Sequence, residues 1–480
     1  MKKNGFGRVL AALAAAMAAS AGAAAPRVEV DLVLRSATVV DVAEGRLLRG
    51  KAVLVRGERI VDVVDDSQLG KYRARRTLHL KGRYLIPGLW DSHVHFGGGP
   101  ELIEENRHLL PLYLAHGITT VRDCAGDLSD TVLQWRDDIA ARRLLGPTLY
   151  ASGPKLEGYK PLWKGTLEVG TPAEVGAALD RLQAAKVDFV KITENTMTAP
   201  IYLEALQQAR ARGLPSSAHL HAAVTLEQAA DAGLGTIEHL PYLLRGASPR
   251  EAELAVQVAA GQITGRAAAE HSLASYDADR ARATVRTLAA KGVAVVPTLS
   301  VIRITAYLDQ EDHSRDDYLK YIGPKLRQTY DWRVQRAAQD GPAAVAYRHA
   351  NFEKAAALLP MLVQEGLPII AGTDAGFLNS FDYPGIALHD ELGLYVRYGL
   401  TPAQSLRTAV LSGPRFLNKQ ADYGALAAGK LADIVVLDAD PLADIAATRK
   451  IRAVMTRGRL LERAQLDSML NEVQQWVAKQ

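Results

Sequence analysis

Leu85-Ile86-Pro87-Gly88-Leu89-Trp90-Asp91-Ser92-His93-Val94-His95-Phe96 is an apolar run that ends in His-x-His and then in Gly97-Gly98-Gly99. It reads as a buried strand stopped by the glycines. Residues two apart on a strand point to the same side. His93 and His95 therefore aim two imidazoles at one spot, at the strand's C-terminal end. Two convergent imidazoles beside an open turn suit a divalent metal. Two histidines simply paired on a half-buried strand are the alternative, and later strand ends bear on the choice.

Those ends carry matching groups. Val187-Asp188-Phe189-Val190-Lys191-Ile192-Thr193 is a short strand with a lysine in its apolar part. Ser217-Ala218-His219-Leu220-His221 repeats His-x-His, Thr236-Ile237-Glu238-His239 ends another strand, and Pro368-Ile369-Ile370-Ala371-Gly372-Thr373-Asp374 ends a last one.

Between residues 85 and 418 strand-like and helix-like segments alternate. Candidate strands are 85–95, 118–123, 148–152, 187–193, 215–220, 235–239, 293–299 and 368–374, with helical patterns at 173–185, 200–212, 225–232 and 278–291. Such alternation implies a parallel sheet, and eight repeats imply a closed (β/α)8 TIM-like barrel of the α/β class, whose sites lie at the C-terminal strand ends. Residues 28–64 instead alternate apolar and polar positions over short strands, and that texture returns at 433–438 and 451–458. A small β-sandwich built from both chain ends, 26–84 and 419–465, is expected around a barrel at 85–418, with a C-terminal helix at 466–480. Residues 302–362 are long, charged and helix-like, and are expected to form a helical lid over the barrel mouth, an external elaboration being the alternative.

Lys2 and Lys3 precede an alanine-rich stretch, Val9 to Ala25, that ends in small residues. This is the pattern of a secretory signal, 1–25, cleaved near Ala23 to Ala25. It is short and weakly apolar for a membrane span. Export is expected, to a periplasm in a Gram-negative source or into the medium, with no stable membrane span after cleavage. Net charge is only +4 over 57 basic and 53 acidic residues, which gives no argument for a nucleic-acid partner. The single cysteine, Cys124, excludes an internal disulfide and reads as a small buried residue. Oligomeric state is not legible, and a homo-oligomer stays open.

The motifs Pro87-Gly88-Leu89-Trp90-Asp91-Ser92-His93-Val94-His95, Gly117-Ile118-Thr119-Thr120-Val121-Arg122-Asp123, Val190-Lys191-Ile192, His219-Leu220-His221, Ile237-Glu238-His239 and Gly372-Thr373-Asp374 occur in this order. So arranged, the chain resembles the amidohydrolase superfamily, in the branch of imidazolonepropionase-like proteins and prolidase-like metallopeptidases. The stretch from Gly424 to Leu437 is similar to that family's return to its sheet domain.

The resemblance implies two divalent metal ions, zinc by preference. His93 and His95 would bind the first, and His219 and His239 the second. Lys191, N-carboxylated, would bridge them, and Asp374 would ligate the first metal and act as the catalytic base. A lysine ammonium beside two cations is unfavourable, whereas a carbamate supplies an anionic bridging oxygen. The cations would lower the pKa of a bridging water and polarise a carbonyl, and Asp374 would pass the water's proton to a leaving amine. His221, two residues after His219, points the same way, so either is open as the ligand; the family pattern favours His219. His221, Tyr242 and Arg122 are then candidate substrate contacts, with Arg245 and Arg303 weaker ones.

The implied substrate is a small molecule: a dipeptide, an N-acyl amino acid or a related amide. A one-metal deaminase or cyclic-imide hydrolase of the same superfamily is the nearest alternative. Ala222, where deaminases carry a glutamate, and Lys191 both count against it. A non-catalytic periplasmic binding protein on the same barrel is the alternative from another class.

Overall fold

The computed structural model describes residues 27–480. The secretory signal expected at 1–25 lies outside the described residues. Among those described, no helix is long and apolar enough to cross a membrane.

Two parallel sheets carry the middle of the chain. One holds Leu89–His95, Ile118–Asp123 and Thr148–Ala151, with the short Ala375–Gly376 beside Leu89–His95. The other holds Thr166–Glu168, Lys155–Glu157, Val190–Ile192, Ser216–Ala218, Thr236–Glu238 and Ala294–Val296 in that order. Apart from the edge strand Thr166–Glu168, their strands are buried on both faces, as parallel strands wrapped by helices are. The helices between them begin where the sequence caps them. Thr171 and Glu174 form a reciprocal capping box before Pro172–Ala184, Thr225 and Gln228 another before Leu226–Ala232, and the Asp277 side chain accepts from Arg280 N before Ala278–Ala290.

The expected strand 368–374 is not a regular strand. Ile370 N donates to Val295 O, Ser92 N to Ala371 O, and Asp374 N to His93 O, at 2.9, 2.9 and 2.7 Å. This segment thus hydrogen-bonds to both sheets, and alternating allegiance plus a left-handed Asp374 (φ 74°) prevents a ladder on either side. At the other seam Asp188 N donates to Ala151 O at 3.0 Å.

The run 85–95 is also two strands. Tyr84–Pro87 pairs with Val28–Asp41 and with Ile434–Leu437, whereas Leu89–His95 belongs to the parallel sheet. The switch falls at Gly88, where a Cβ would lie 2.0 Å from Thr119 Oγ1, so only glycine lets the chain pass.

Both chain ends combine in one eight-stranded sheet. A β-sandwich built from both chain ends was expected; here Val28–Asp41 lies at the middle of the sheet and shifts register between Leu34 and Val39. That bend lets Leu32, Leu34 and Val53 from the N-terminal strands share one core with Ile434, Val436 and Met455 from the C-terminal ones. Val435, Leu437 and Val454 face the other way, into the main core. The last helix, Arg463–Val477, starts three residues before the expected boundary and buries Leu466 and Val473.

Residues 302–362 are largely helical, through Leu299–Ala306, Pro324–Gln328, Asp331–Ala338, Pro342–Ala356 and the start of Leu359–Gln364.

Candidate active site

The strand ends bring six side chains to one buried centre. His93 and His95 leave Leu89–His95 on the same side, and Asp374 Oδ1 lies 3.1 Å from His93 Nε2 and 2.8 Å from His95 Nε2. These three are close enough together to hold one metal ion. His219 and His239 follow their strands by one residue, and their Nε2 atoms are 3.2 Å apart. The rings of His93 and His239 lie 5.2 Å apart, so the two groups adjoin. Lys191, 1% exposed, lines the same small cavity. Its Nζ is buried and has no hydrogen-bond partner.

These residues fit divalent cations. A buried amine normally finds a partner, and paired imidazole nitrogens that face each other across about 3 Å leave their lone pairs without a donor. Four imidazoles and a carboxylate are the donor set that zinc-like ions take.

Three of the four imidazoles are held from behind. His93 Nδ1 is 2.6 Å from Glu238 Oε2, His219 Nδ1 is 3.1 Å from Glu194 Oε2, and His239 Nδ1 is 2.8 Å from Thr298 Oγ1. Such rear partners fix the tautomer and turn Nε2 toward the centre. Asp91, beneath the site, accepts from Thr373 N and Thr373 Oγ1 at 3.0 and 2.7 Å and so places Asp374. His239, Thr298 and Asp374 all have left-handed backbones, with φ of 76°, 48° and 74°. Strain of this kind persists where surrounding structure enforces it, commonly at functional sites. Burial alone would raise the Asp374 carboxyl, but the adjoining His95 and His93 hold it well below its usual range. Burial pushes the His95 imidazole down to about 4.

Residues 84–461 match the sequence profile of the Amidohydrolase family. The chain belongs to that family.

Among curated relatives, ochratoxinase from Aspergillus niger is 23% identical over 469 residues, covering 86% of this chain and 82% of that one. Among solved structures, a putative prolidase from Bifidobacterium longum superposes with a TM-score of 0.66 at 25% identity, over 93% of this chain and all of that one. Bottromycin amidohydrolase gives a TM-score of 0.72 at 20% identity, over 93% of this chain and 90% of the other. Membership and these neighbours support a hydrolase acting on amide bonds.

Two expected substrate contacts of this amidohydrolase lie elsewhere. Arg122 is 1% exposed; its Nε donates to Ser92 O and its Nη2 to Glu238 Oε1 at 2.9 Å, between the rings of Phe189 and Phe416. It engages the Glu238 oxygen that His93 does not. His221 has both ring nitrogens engaged, Nε2 with Met197 O at 2.9 Å and Nδ1 with Ala223 N at 3.1 Å. The strand ends at Ala218, so strand alternation does not carry His221 to the side of His219.

Tyr242 lines the cavity above His239 and donates its hydroxyl to Glu194 Oε1 at 3.0 Å. Arg245 is spent on the carbonyls of Leu220, His221, Ala222 and Val224, and Arg303 pairs with Glu311.

Sequence reasoning missed Glu238, Glu194, Thr298, Asp91 and Arg333. Glu238 had a signal, a carboxylate inside a three-residue buried strand, since such a charge needs a partner. Arg333, from Asp331–Ala338, had none; it reaches to 4.0 Å from Asp374 Oδ2.

Proposed function

We propose that this amidohydrolase is an exported, binuclear metal-dependent enzyme that hydrolyses the amide bond of a dipeptide or an N-acyl amino acid. The observation that carries it is Lys191: a buried, partnerless amine amid four imidazoles and a carboxylate. Export rests on the sequence of residues 1–25 alone. We read the two parallel sheets as one (β/α)8 barrel, supported by the bonds from segment 368–374 to both and by the Asp188–Ala151 bond.

In this reading His93, His95 and Asp374 would hold one ion, His219 and His239 the other, and Lys191, as a carbamate, would serve as a ligand shared by the two. Carbamate formation joins Nζ to the carbon of carbon dioxide and releases a proton. When bound, the ions supply an activated water and polarise the scissile carbonyl. Asp374 Oδ1 faces His93 and His95, so Oδ2 is the oxygen left to take the attacking water's proton and return it to the leaving amine. Tyr242, fixed by Glu194, bounds the cavity where the substrate enters. The neighbours named as a prolidase and an amidohydrolase support an amide substrate.

The compact trio His93, His95 and Asp374 favours a second reading, a one-metal hydrolase or deaminase of the same family. Lys191 and Ala222 stand against it. Elemental analysis of the purified protein with a panel of dipeptides and N-acyl amino acids separates the two: close to two ions and amide hydrolysis support the first, one ion in a fully active sample the second.

A further inference from the structure

We propose that the carboxylate-bearing half of the substrate is held by Arg336 and Arg348, two guanidiniums carried by the helical insertion and not by the strands of the candidate ligands. This deepens the reading above and rests on it.

A cavity of about 450 Å³ opens on His239 and Asp374 and extends outward to Arg333, Arg336 and Arg348. Among the described residues, Asp374 is the one carboxylate in its lining, and that group is assigned to metal. Among the described residues Arg336 pairs with no carboxylate, and Arg333 comes within only 4.0 Å of one, so this side of the cavity attracts anions.

The three arginines are not equivalent. Arg333 is tied down: its Nε donates to Leu378 O at 3.0 Å and its Nη2 to Asn379 Oδ1. Arg348 is braced from behind by Asp340 at 2.5 Å and Asp309 at 3.6 Å, and its Nε and Nη2 are buried without a hydrogen-bond partner. Arg336 lies over the Trp332 ring, 5.5 Å from its centre, and enters no ion pair among the described residues. Arg336, and Arg348 through its Nε, therefore present donors that no acceptor of the protein engages. A planar carboxylate matches guanidinium donors, often two at a time.

The smaller space of about 80 Å³ that shares His239, Arg333 and Asp374 with this cavity is the one lined by Lys191 and the candidate ligands His95 and His219, so the larger cavity is the space left for the substrate's outer half. The substrate class that fits is an amide whose outer half ends in a free carboxylate.

The test compares a panel of N-acetylated and N-benzoylated amino acids with their C-terminal amides. The wild type should prefer the acids about tenfold or more in kcat/KM, the scale of a charge-assisted hydrogen bond. In the double variant Arg336→Gln/Arg348→Gln that preference should fall at least tenfold, through KM. Lysine at either position should retain part of it. Arg303→Gln, an arginine of the same insertion paired elsewhere, should leave the preference intact. Thermal unfolding and metal content establish that each variant is folded.

An undiminished preference in the folded double variant overturns the assignment and leaves the amidohydrolase reading standing. Should the wild type hydrolyse none of the panel, the substrate reading fails, and calorimetric titration with the N-benzoylated amino acids decides the assignment. Binding lost in the double variant supports it, and absence of binding to the wild type overturns it.

Discussion

Glu238 Oε2 lies 2.6 Å from His93 Nδ1, and neither side chain is exposed at all. The other Glu238 oxygen accepts from Arg122 Nη2 at 2.9 Å and from the hydroxyls of Ser217 and Thr236. One carboxylate thus ties a candidate ligand to a guanidinium buried beneath the site. It assigns the Nδ1 proton of His93 and leaves Nε2 with a lone pair toward the centre.

Glu238→Gln should act through both attachments. The amide is a weaker acceptor for the imidazole, so metal affinity should drop about 10- to 100-fold, the usual effect of losing such a rear partner. Arg122 would keep its charge without a counter-ion, and breaking a buried pair costs about 3 kcal/mol or more. Chelator competition and thermal unfolding measure the two effects. A variant with wild-type metal affinity would show that Glu238 serves only the fold.

Lys191→Ala should lose most activity, and short-chain carboxylic acids should restore part of it by standing in for the bridging carbamate. The readout is turnover with and without added propionate. Full activity in the unsupplemented variant would make the lysine structural and move the one-metal reading to first place.

How far the sequence reached follows from where strand geometry applies. His93 and His95 both lie inside Leu89–His95, where alternation holds, and they share a side. His219 and His221 lie beyond the end of Ser216–Ala218, and the same rule misplaces His221. The alternation of strands and helices was legible because the buried strands are apolar and bounded by turns. The change of sheet at Gly88 was not, because an unbroken apolar run looks alike on either sheet. Arg122 looked like a site residue because it is a charge near a strand end; that it serves Glu238, 116 residues away, is a relation only folding creates. Arg333 was hidden for a like reason: on a charged helix nothing local marks which cation faces inward.

Asp374→Asn should reduce turnover by about a hundredfold or more, the scale of a lost general base, while the fold persists. The amide keeps the shape of the side chain but cannot hold the water's proton at ordinary pH. Steady-state kinetics beside thermal unfolding checks this. Turnover within about threefold of wild type would move the base elsewhere.

His219→Ala and His221→Ala should part company. Removing His219 takes away an imidazole whose Nε2 faces that of His239, and metal content should fall. Removing His221 loses hydrogen bonds to Met197 and Ala223, worth about 1 kcal/mol each, and should lower stability while sparing metal. Metal loss in the reverse order would transfer the ligand role to His221.

The central claim is a binuclear centre built on Lys191, and metal counting tests it most directly. Elemental analysis of the purified, fully active protein should give close to two divalent ions per chain, and Lys191→Ala should fall well below that. One ion or fewer per chain in a metal-replete, fully active sample would contradict the account.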